Sequence, residues 1–219
     1  MNALDFPFCG ETLTALPSGA LLWAREALLV VSDLHLGKSE RIARRGGALL
    51  PPYDTDETLD RLASDIRATG PKTVLCLGDS FDDLLAAEAL TDAHRAQIGS
   101  LQAGRRWLWL EGNHDPGPVD LGGTHLGEFR EGPLTFRHIA ETVPEPGEVS
   151  GHYHPKARMR RGSRPCFMTD ATRLILPAYG CYTGGLDWTT PVLRDLFADT
   201  AIAYLTGRKV LAVPVPRAA

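Results

Sequence analysis

The sequence has no apolar run that approaches the length needed to span a membrane. Its first ten residues contain Asp5 and no basic residue ahead of an apolar stretch, which is not the pattern of a secretory signal. Low-complexity segments and repeats of a fixed period are missing as well. We therefore expect a protein that makes no contact with a membrane and lies in the cytoplasm.

Cysteine is scarce, and its four positions are far apart in the chain. No Cys-x-x-Cys pair occurs, so a zinc site built from thiolates is disfavoured. Widely spaced thiols fit a reducing compartment, in which they stay reduced and mostly buried. We assign no catalytic role to these residues, which are Cys9, Cys76, Cys166 and Cys181.

The composition is that of an ordinary globular chain. Apolar residues make up 43% of the 219 positions and charged residues 23%. No stretch reads as a linker long enough to separate two domains. We predict one domain that covers residues 1–219.

Short apolar stretches bounded by turn residues predict a series of strands. They lie at residues 11–16, 27–31, 73–77, 107–110, 134–137, 148–150 and 174–177. Near the end, residues 201–205 and 208–213 flank Thr206-Gly207 and are typical of a β-hairpin.

Helical periodicity appears between the first strands. Apolar residues recur on one face of a predicted helix over residues 54–70, where Asp54 and Glu57 resemble a capping box. Two further helices are predicted at residues 84–90 and 92–103. Since strands and helices alternate at the front and strands dominate the back, we expect packed sheets with outer helices.

Polar clusters follow the ends of apolar strands at five places. Open α/β sheets bind ligands outside the carboxyl ends of their strands, so these clusters are expected to converge. The clusters are Asp33-Leu34-His35, Gly78-Asp79-Ser80-Phe81-Asp82-Asp83, Gly112-Asn113-His114-Asp115, His138 and Gly151-His152-Tyr153-His154.

The side chains in these clusters are those of a metal site. Imidazole nitrogen, carboxylate oxygen and an asparagine carbonyl suit Mn²⁺, Fe or Zn²⁺, and a carboxylate can bridge two ions. In an extended segment, residues two apart point the same way, so the pairs Asp33/His35 and His152/His154 can each face one cavity. The sequence therefore predicts two metal ions.

These motifs, in this order, resemble the pattern of the calcineurin-like metallophosphoesterases: D-x-H, G-D-x-x-D, G-N-H-D/E, a lone H and G-H-x-H. Residues 49–55, 151–158 and 182–186 also resemble the bacterial subgroup called ligase-associated DNA damage response endonuclease, PdeM. The resemblance implies an α/β fold, a four-layer α/β/β/α sandwich of two mixed sheets flanked by helices. It also implies a phosphoesterase that uses two divalent ions, for which we expect Mn²⁺, with Fe or Zn²⁺ as alternatives.

The resemblance implies a role for each motif residue. One ion is held by Asp33, His35 and His154, the other by Asn113, His138 and His152, and Asp79 bridges them. His114 is not a ligand but acts at the scissile phosphate, where it stabilises charge or protonates the leaving oxygen. An acidic partner, Asp82 or Asp115, holds the ring of His114 and raises its pKa.

Several assignments have competing interpretations. His125 competes with His138 for the lone-ligand role, but His138 ends an apolar strand and is favoured, whereas His125 is expected in a surface loop. His94 is expected to be exposed on a helix. Trp107 and Trp109 are expected in the core.

The net charge of −4 hides an uneven distribution of charge. Residues 156–173 carry a net charge of +5, and residues 38–45 carry +3. The arginine stretch from Arg158 to Arg164, within the first of these segments, is either an ordinary solvated hairpin or a phosphate-binding surface. Candidate substrate contacts are Lys156, Arg158 and Tyr153, and Tyr53 and Tyr182 are further candidates for stacking on a base.

We therefore expect a DNA-directed phosphodiesterase, an Mn²⁺-dependent endonuclease in DNA repair that works beside a ligase and a helicase. A small-substrate phosphatase or nucleotide phosphodiesterase is the alternative, because the same metal site serves both. A non-catalytic scaffold of the same fold is the third reading, which the completeness of the motifs disfavours.

Overall fold

Two β-sheets form the centre of the molecule in a computed structural model, which describes residues 2–47, 50–160 and 162–216. Leu49 of the subgroup-like motif and Arg161 of the basic stretch lie outside the described residues. Both sheets are mixed, since each contains parallel and antiparallel pairs.

The first sheet has seven strands that lie side by side in chain order. β1 to β4 pair antiparallel and β4 to β7 pair parallel. β4, β5 and β6 consist almost entirely of apolar residues because both faces of this part of the sheet are buried. The strands are β1 (Leu4–Phe8), β2 (Glu11–Ala15), β3 (Leu21–Trp23), β4 (Leu28–Val31), β5 (Thr73–Leu77), β6 (Arg106–Leu110) and β7 (Thr124–Leu126).

Between these strands the chain forms α1 (Lys38–Arg44), α2 (Asp54–Thr69), α3 (Leu84–Glu88) and α4 (Asp92–Gln102). Apolar residues of α2, α3 and α4 cover the outer face of the first sheet, and α1 packs against α2 and α3. The apolar face predicted for α2 is buried, with Leu59, Leu62 and Ile66 packed against the sheet. Nothing in the sequence analysis predicted α1, whose residues were noted only for their charge. Among the described residues, no helix is long and apolar enough to cross a membrane.

The capping box predicted at Asp54 is wrong. Tyr53 occupies the N-cap of α2 without a side-chain cap, and Asp54 is the first helical residue. Its carboxylate instead accepts hydrogen bonds from the backbone N–H and the hydroxyl of Ser39, which ties α1 to α2. By contrast, Thr91 caps α4 by accepting a hydrogen bond from the N–H of His94.

The second sheet has its strands in the order β15-β14-β12-β13-β10-β9-β8, and β11 forms a hairpin with β12. β10 is parallel to both of its neighbours, and the other pairs are antiparallel. The strands are β8 (Phe129–Glu131), β9 (Leu134–Phe136), β10 (Glu148–Ser150), β11 (Lys156–Met159), β12 (Gly162–Thr169), β13 (Arg173–Ile175), β14 (Ile202–Leu205) and β15 (Leu211–Pro214). The antiparallel pair β14–β15 confirms the hairpin predicted at the end of the chain.

The core lies in three apolar layers. Alternate residues of β4 face opposite ways: Val30 packs with residues of the second sheet, such as Val149, while Val31 packs beneath the helices. A third cluster covers the outer face of the second sheet and includes Leu193 of α5 (Pro191–Arg194). Two mixed sheets with flanking helices confirm the predicted α/β fold.

Candidate metal centre

Seven polar side chains at the carboxyl ends of five strands meet at one edge of the two sheets. In the first sheet they follow the parallel strands β4, β5 and β6, and in the second they follow the parallel strands β9 and β10. All seven are residues that the sequence predicted as ligands: Asp33, His35, Asp79, Asn113, His138, His152 and His154.

Five of these residues have left-handed backbone. Asp33, His35, Asp79, His152 and His154 have φ between 46° and 67°. The extended conformation expected for the Asp-x-His and His-x-His pairs is therefore wrong. Such φ values in non-glycine residues cost of order 1–3 kcal/mol each and cluster at functional sites.

Two glycines allow the loops of the centre to approach one another. A Cβ on Gly112 would overlap the backbone nitrogen of Asp79, and a Cβ on Gly151 would overlap the hydroxyl of Ser32. The glycines that open the Gly-Asn-His and Gly-His motifs are therefore required by close backbone packing.

The first cluster contains Asp33, His35 and His154, whose candidate ligand atoms all lie within 4.8 Å of one another. The Nε2 atom of His154 lies 3.0 Å from Oδ1 of Asp33. Ser32 and the N–H of His152 donate hydrogen bonds to the other carboxylate oxygen of Asp33 at 2.5 and 3.0 Å. Burial raises the pKa of Asp33, but contact with His154 and the charge of His138 outweigh burial and lower it.

The second cluster contains Asp79, His138 and His152. The Nδ1 atom of His138 lies 3.0 Å from the carbonyl of Leu77, which leaves Nε2 for the cavity. That Nε2 atom lies 3.0 Å from Oδ1 of Asn113 and 3.3 Å from Oδ2 of Asp79. Burial lowers the pKa of His152, with help from the charge of His138, which favours the neutral imidazole that binds metals.

Asp79 lies between the two clusters. Its Oδ2 atom is 3.3 Å from Nε2 of His138 in the second cluster and 3.9 Å from Nε2 of His35 in the first. Burial raises the pKa of Asp79, but the hydrogen bond and charge of His138 outweigh burial and lower that pKa to about 2. The side chain is thus a carboxylate at neutral pH, with oxygens that reach both clusters.

The residues present fit two metal ions. Within the part of the chain that the structure describes, the buried Nε2 atom of His35 has no hydrogen-bond partner, and that of His154 meets only the carboxylate of Asp33, outside hydrogen-bond geometry. Native proteins rarely leave such atoms unpaired unless an ion or water completes the site. Imidazole nitrogens with carboxylate and amide oxygens form a donor set suited to Mn²⁺, Fe and Zn²⁺.

His114 lies beside both clusters, with its ring centroid 5.0 Å from that of His35. Its backbone N–H donates to Oδ1 of Asp79 at 2.8 Å. Its Nδ1 atom lies 2.8 Å from the backbone carbonyl of Asp82. Asp82, one of the two expected partners, therefore holds the ring of His114, but through its main-chain carbonyl and not through its carboxylate.

The carboxylate of Asp82 contacts His35 instead. It is fully buried, lies 2.8 Å from Nδ1 of His35, and forms ion pairs with Lys38 at 3.5 Å and with Arg41. Burial raises the pKa of Asp82, but His35 and the two cations outweigh burial and hold it well below its ordinary value. Sequence reasoning missed this contact, although the basic residues of α1 were noted for their charge.

Asp115 supports the loop that carries Asp79. Its carboxylate accepts hydrogen bonds from the backbone N–H groups of Ser80, Phe81 and Gly112 at 2.8 to 3.1 Å. Burial and the negative charge of Asp79 raise the pKa of Asp115 to about 6, although the hydrogen bonds from Ser80 and Phe81 act to lower it. Its role in the structure is to tie the second and third motifs together.

The basic stretch divides into structural and free cations. Arg164 donates to the backbone carbonyls of Thr206 and Lys209, and buried Arg173 pairs with Glu148. Lys156 donates to a backbone carbonyl on a neighbouring loop. Arg158 and Arg160 are exposed on the β11–β12 hairpin. Residues 156–159 and 162–169 of the stretch thus form a hairpin, and part of its charge is used inside the fold.

Two histidines outside the candidate ligand set, His125 and His94, lie away from the metal centre. His125 lies in β7 opposite Trp109, so its expected position in a surface loop is wrong. His94 is half-buried, with Nε2 3.0 Å from Asp56, so its expected exposure is wrong. The core positions predicted for Trp107 and Trp109 are confirmed, since their exposed fractions are 3% and 2%.

Of the three candidate tyrosines, one lies against the metal centre. The ring of Tyr153 contacts that of His152 edge-to-face, with centroids 5.1 Å apart. Tyr53 and Tyr182 are exposed.

A family model described as calcineurin-like phosphoesterase matches residues 27–200, a range that includes every residue of the metal centre. The chain belongs to the calcineurin-like phosphoesterase family. It is therefore a metal-dependent phosphoesterase, as the motifs predicted, and the clusters described above are candidate sites for divalent ions.

Solved structures extend the comparison. The nuclease MPE of Pseudomonas putida is similar to the chain with a TM-score of 0.76, at 28% identity over 96% of this chain and 100% of that one. This similarity is consistent with the predicted resemblance to the PdeM subgroup. Yfce, a phosphoesterase from E. coli, matches with a TM-score of 0.39 and 11% identity over 86% of this chain and 99% of that one. A search of curated proteins gave no match.

Proposed function

We propose that the chain is a DNA-directed phosphodiesterase with endonuclease activity that uses two divalent ions, Mn²⁺ before Fe or Zn²⁺. The observation that carries this proposal is the likeness to a nuclease over nearly the full length of both chains. The metal centre by itself supports phosphoester hydrolysis without specifying the substrate.

In this proposal, Asp33, His35 and His154 hold one ion, Asn113, His138 and His152 hold the other, and Asp79 contacts both. The grouping of side chains within ligand distance of one another supports this division. When bound, two such ions supply Lewis acidity at the phosphoryl oxygens and a nucleophilic water at neutral pH.

His114 is the proposed catalytic residue outside the ligand set. Because its Nδ1 atom donates to the carbonyl of Asp82, the ring presents Nε2 to a phosphate in the centre. From there it can stabilise developing charge or donate a proton to the leaving oxygen. Tyr153, beside His152, is a proposed contact for the substrate.

An activity screen tests the substrate class. The chain, supplied with Mn²⁺, is incubated with plasmid DNA, with bis-p-nitrophenyl phosphate and with p-nitrophenyl phosphate. We expect nicking of closed circular plasmid and hydrolysis of the diester. Turnover of the monoester alone would overturn the nuclease proposal and favour a small-substrate phosphatase.

A role in DNA repair beside a ligase and a helicase, and a cytoplasmic location, follow only from the resemblance and the sequence and stay predictions. Co-purification of the chain with a ligase or a helicase from its native cell tests the first of them.

A further inference from the structure

A cationic groove of about 470 Å³ opens beside the loop that carries His154. One wall is the β11–β12 hairpin, which contributes Lys156, Arg158 and Arg160, and the other is the loop that contains Gly185 and Asp187. The groove lies outside the two ligand clusters, and neither the family nor the metal centre accounts for it.

The strand pattern of β11 places the cations on one side of the hairpin. Lys156 and Arg158 alternate with Ala157, which is fully buried against the second sheet. Residues two apart along a strand lie about 6.6 Å from each other. Arg160 follows in the turn, so the groove presents a row of positive charges that leads away from the metal centre.

Two of these charges are available to a ligand. Arg158 and Arg160 are exposed, and within residues 2–47, 50–160 and 162–216 neither forms an ion pair or a side-chain hydrogen bond. Arg164, on the same hairpin, by contrast donates through Nε and Nη2 to backbone carbonyls. The groove's one carboxylate, Asp187, accepts hydrogen bonds from the backbone N–H and hydroxyl of Thr189.

The groove is joined directly to the metal centre. Lys156 follows His154 by two residues, and its ammonium group donates to the carbonyl of Thr183 at 3.0 Å. A Cβ on Gly185 would overlap the carbonyl oxygen of His154, so the two walls pack backbone to backbone at this point. The groove therefore begins within two residues of His154, a candidate ligand of the metal centre.

We propose that this groove binds the sugar–phosphate backbone of the DNA strand on one side of the scissile phosphate, with Arg158 and Arg160 each contacting a phosphate. The inference rests on the proposed function and adds a subsite to it. Guanidinium groups pair with phosphate oxygens through two parallel N–H donors. Contacts of this kind position a strand without reading its bases, so they give weak sequence preference.

The test compares kcat/KM for a single-stranded oligonucleotide with kcat/KM for bis-p-nitrophenyl phosphate, both in Mn²⁺. The double variant Arg158→Ala/Arg160→Ala is expected to lower the ratio of the two values on the order of 10- to 100-fold, about 10-fold for each charged hydrogen bond lost. The slope of log kcat/KM against log salt for DNA should become shallower by about 1.4, at about 0.7 per phosphate contact.

Two further double variants make the result specific. Arg158→Lys/Arg160→Lys keeps both charges and should retain most of the salt dependence. Arg67→Ala/Lys72→Ala removes two exposed cations at the far end of the first sheet, just before β5, and should leave the ratio at the wild-type value.

The outcomes separate the two proposals. If the wild type and the Arg158→Ala/Arg160→Ala variant cut DNA with the same ratio and salt slope, the groove is not a backbone subsite, while the nuclease proposal stands. If the wild type hydrolyses the small diester but not DNA, the nuclease proposal fails and the groove proposal fails with it.

Discussion

Replacing Asp82 tests whether the second-motif carboxylate orients a metal ligand. The carboxylate is fully buried and lies 2.8 Å from Nδ1 of His35, so it fixes the ring with Nε2 toward the first cluster. Partners of this kind typically account for 10–100-fold in metal affinity or activity. We expect Asp82→Ala to weaken Mn²⁺ binding at one of two sites by roughly that factor, about 1.4–2.8 kcal/mol.

The Asn variant is expected to fall between wild type and Ala. One carboxylate oxygen of Asp82 faces His35 and the other faces Arg41. The amide of Asn can keep its oxygen toward His35 only by turning its NH₂ group toward the guanidinium, which is also a donor. In both variants the free energy of unfolding should fall by less than about 3–5 kcal/mol, the loss seen when one partner of a fully buried ion pair is removed. The reason is that the side chains of Lys38 and Arg41 are 17% and 19% exposed and can rehydrate.

The assay is a Mn²⁺ binding isotherm on metal-stripped protein, with unfolding by urea measured in parallel without metal. Asp83→Ala is the matched control, since Asp83 caps α3 and pairs with Arg44 without touching His35. The control should lose stability of about 1 kcal/mol and keep its Mn²⁺ affinity. Wild-type affinity at both sites in Asp82→Ala would refute the orienting role.

Two further predictions concern residues of the metal centre's loops, His114 and Gly151, and a third concerns Asp170, in the turn between β12 and β13 outside the centre. His114→Ala should lower kcat on the order of 10²–10⁴-fold while the chain still binds two ions per molecule; a lost ion would show that the residue is a ligand. Gly151→Ala should weaken Mn²⁺ binding, since the added Cβ overlaps the hydroxyl of Ser32, whereas Gly117→Ala, with open space around the Cβ, should not. Asp170→Ala should destabilise the fold by about 2 kcal/mol at pH 7, because its carboxylate accepts three backbone N–H groups that outweigh burial and lower its pKa. This stabilisation is present above the unfolded pKa near 3.8 and is lost as pH falls through the lower folded value, so urea unfolding should show the variant's deficit shrinking between pH 5 and pH 3.

The convergence of the candidate ligands could be predicted from the sequence because it depends on residue type and strand order. Parallel strands bring their carboxyl ends to one edge, so Asp33, Asp79 and Asn113 had to meet once β4, β5 and β6 were recognised. The choice of His138 over His125 followed from the same rule, and the structure places His138 against Asp79. Prediction of a single domain over residues 1–219 stays a prediction.

Backbone conformation and side-chain partners in the site depend on geometry that residue patterns do not encode. Asp and His adopt positive φ more often than most other non-glycine residues, but residue type does not show which of them do so, and the left-handed backbone at Asp33 and His154 was not foreseen. The partner of Asp82 depends on where α1 packs, since the helix brings Lys38 and Arg41 to that carboxylate. Likewise, the charge of Arg164 could be assigned only once its contact with the backbone of Thr206 was known.

The central claim, that two ions share Asp79, is tested most directly by counting metal ions and activity in the same sample. Wild type and Asp79→Ala are stripped with chelator, replenished with Mn²⁺, and compared for bound Mn²⁺ per chain and for hydrolysis of bis-p-nitrophenyl phosphate. The predicted result is two ions and full turnover for wild type, with fewer than two ions and no metal-dependent turnover for the variant. Retained turnover in the replenished variant would contradict the shared centre.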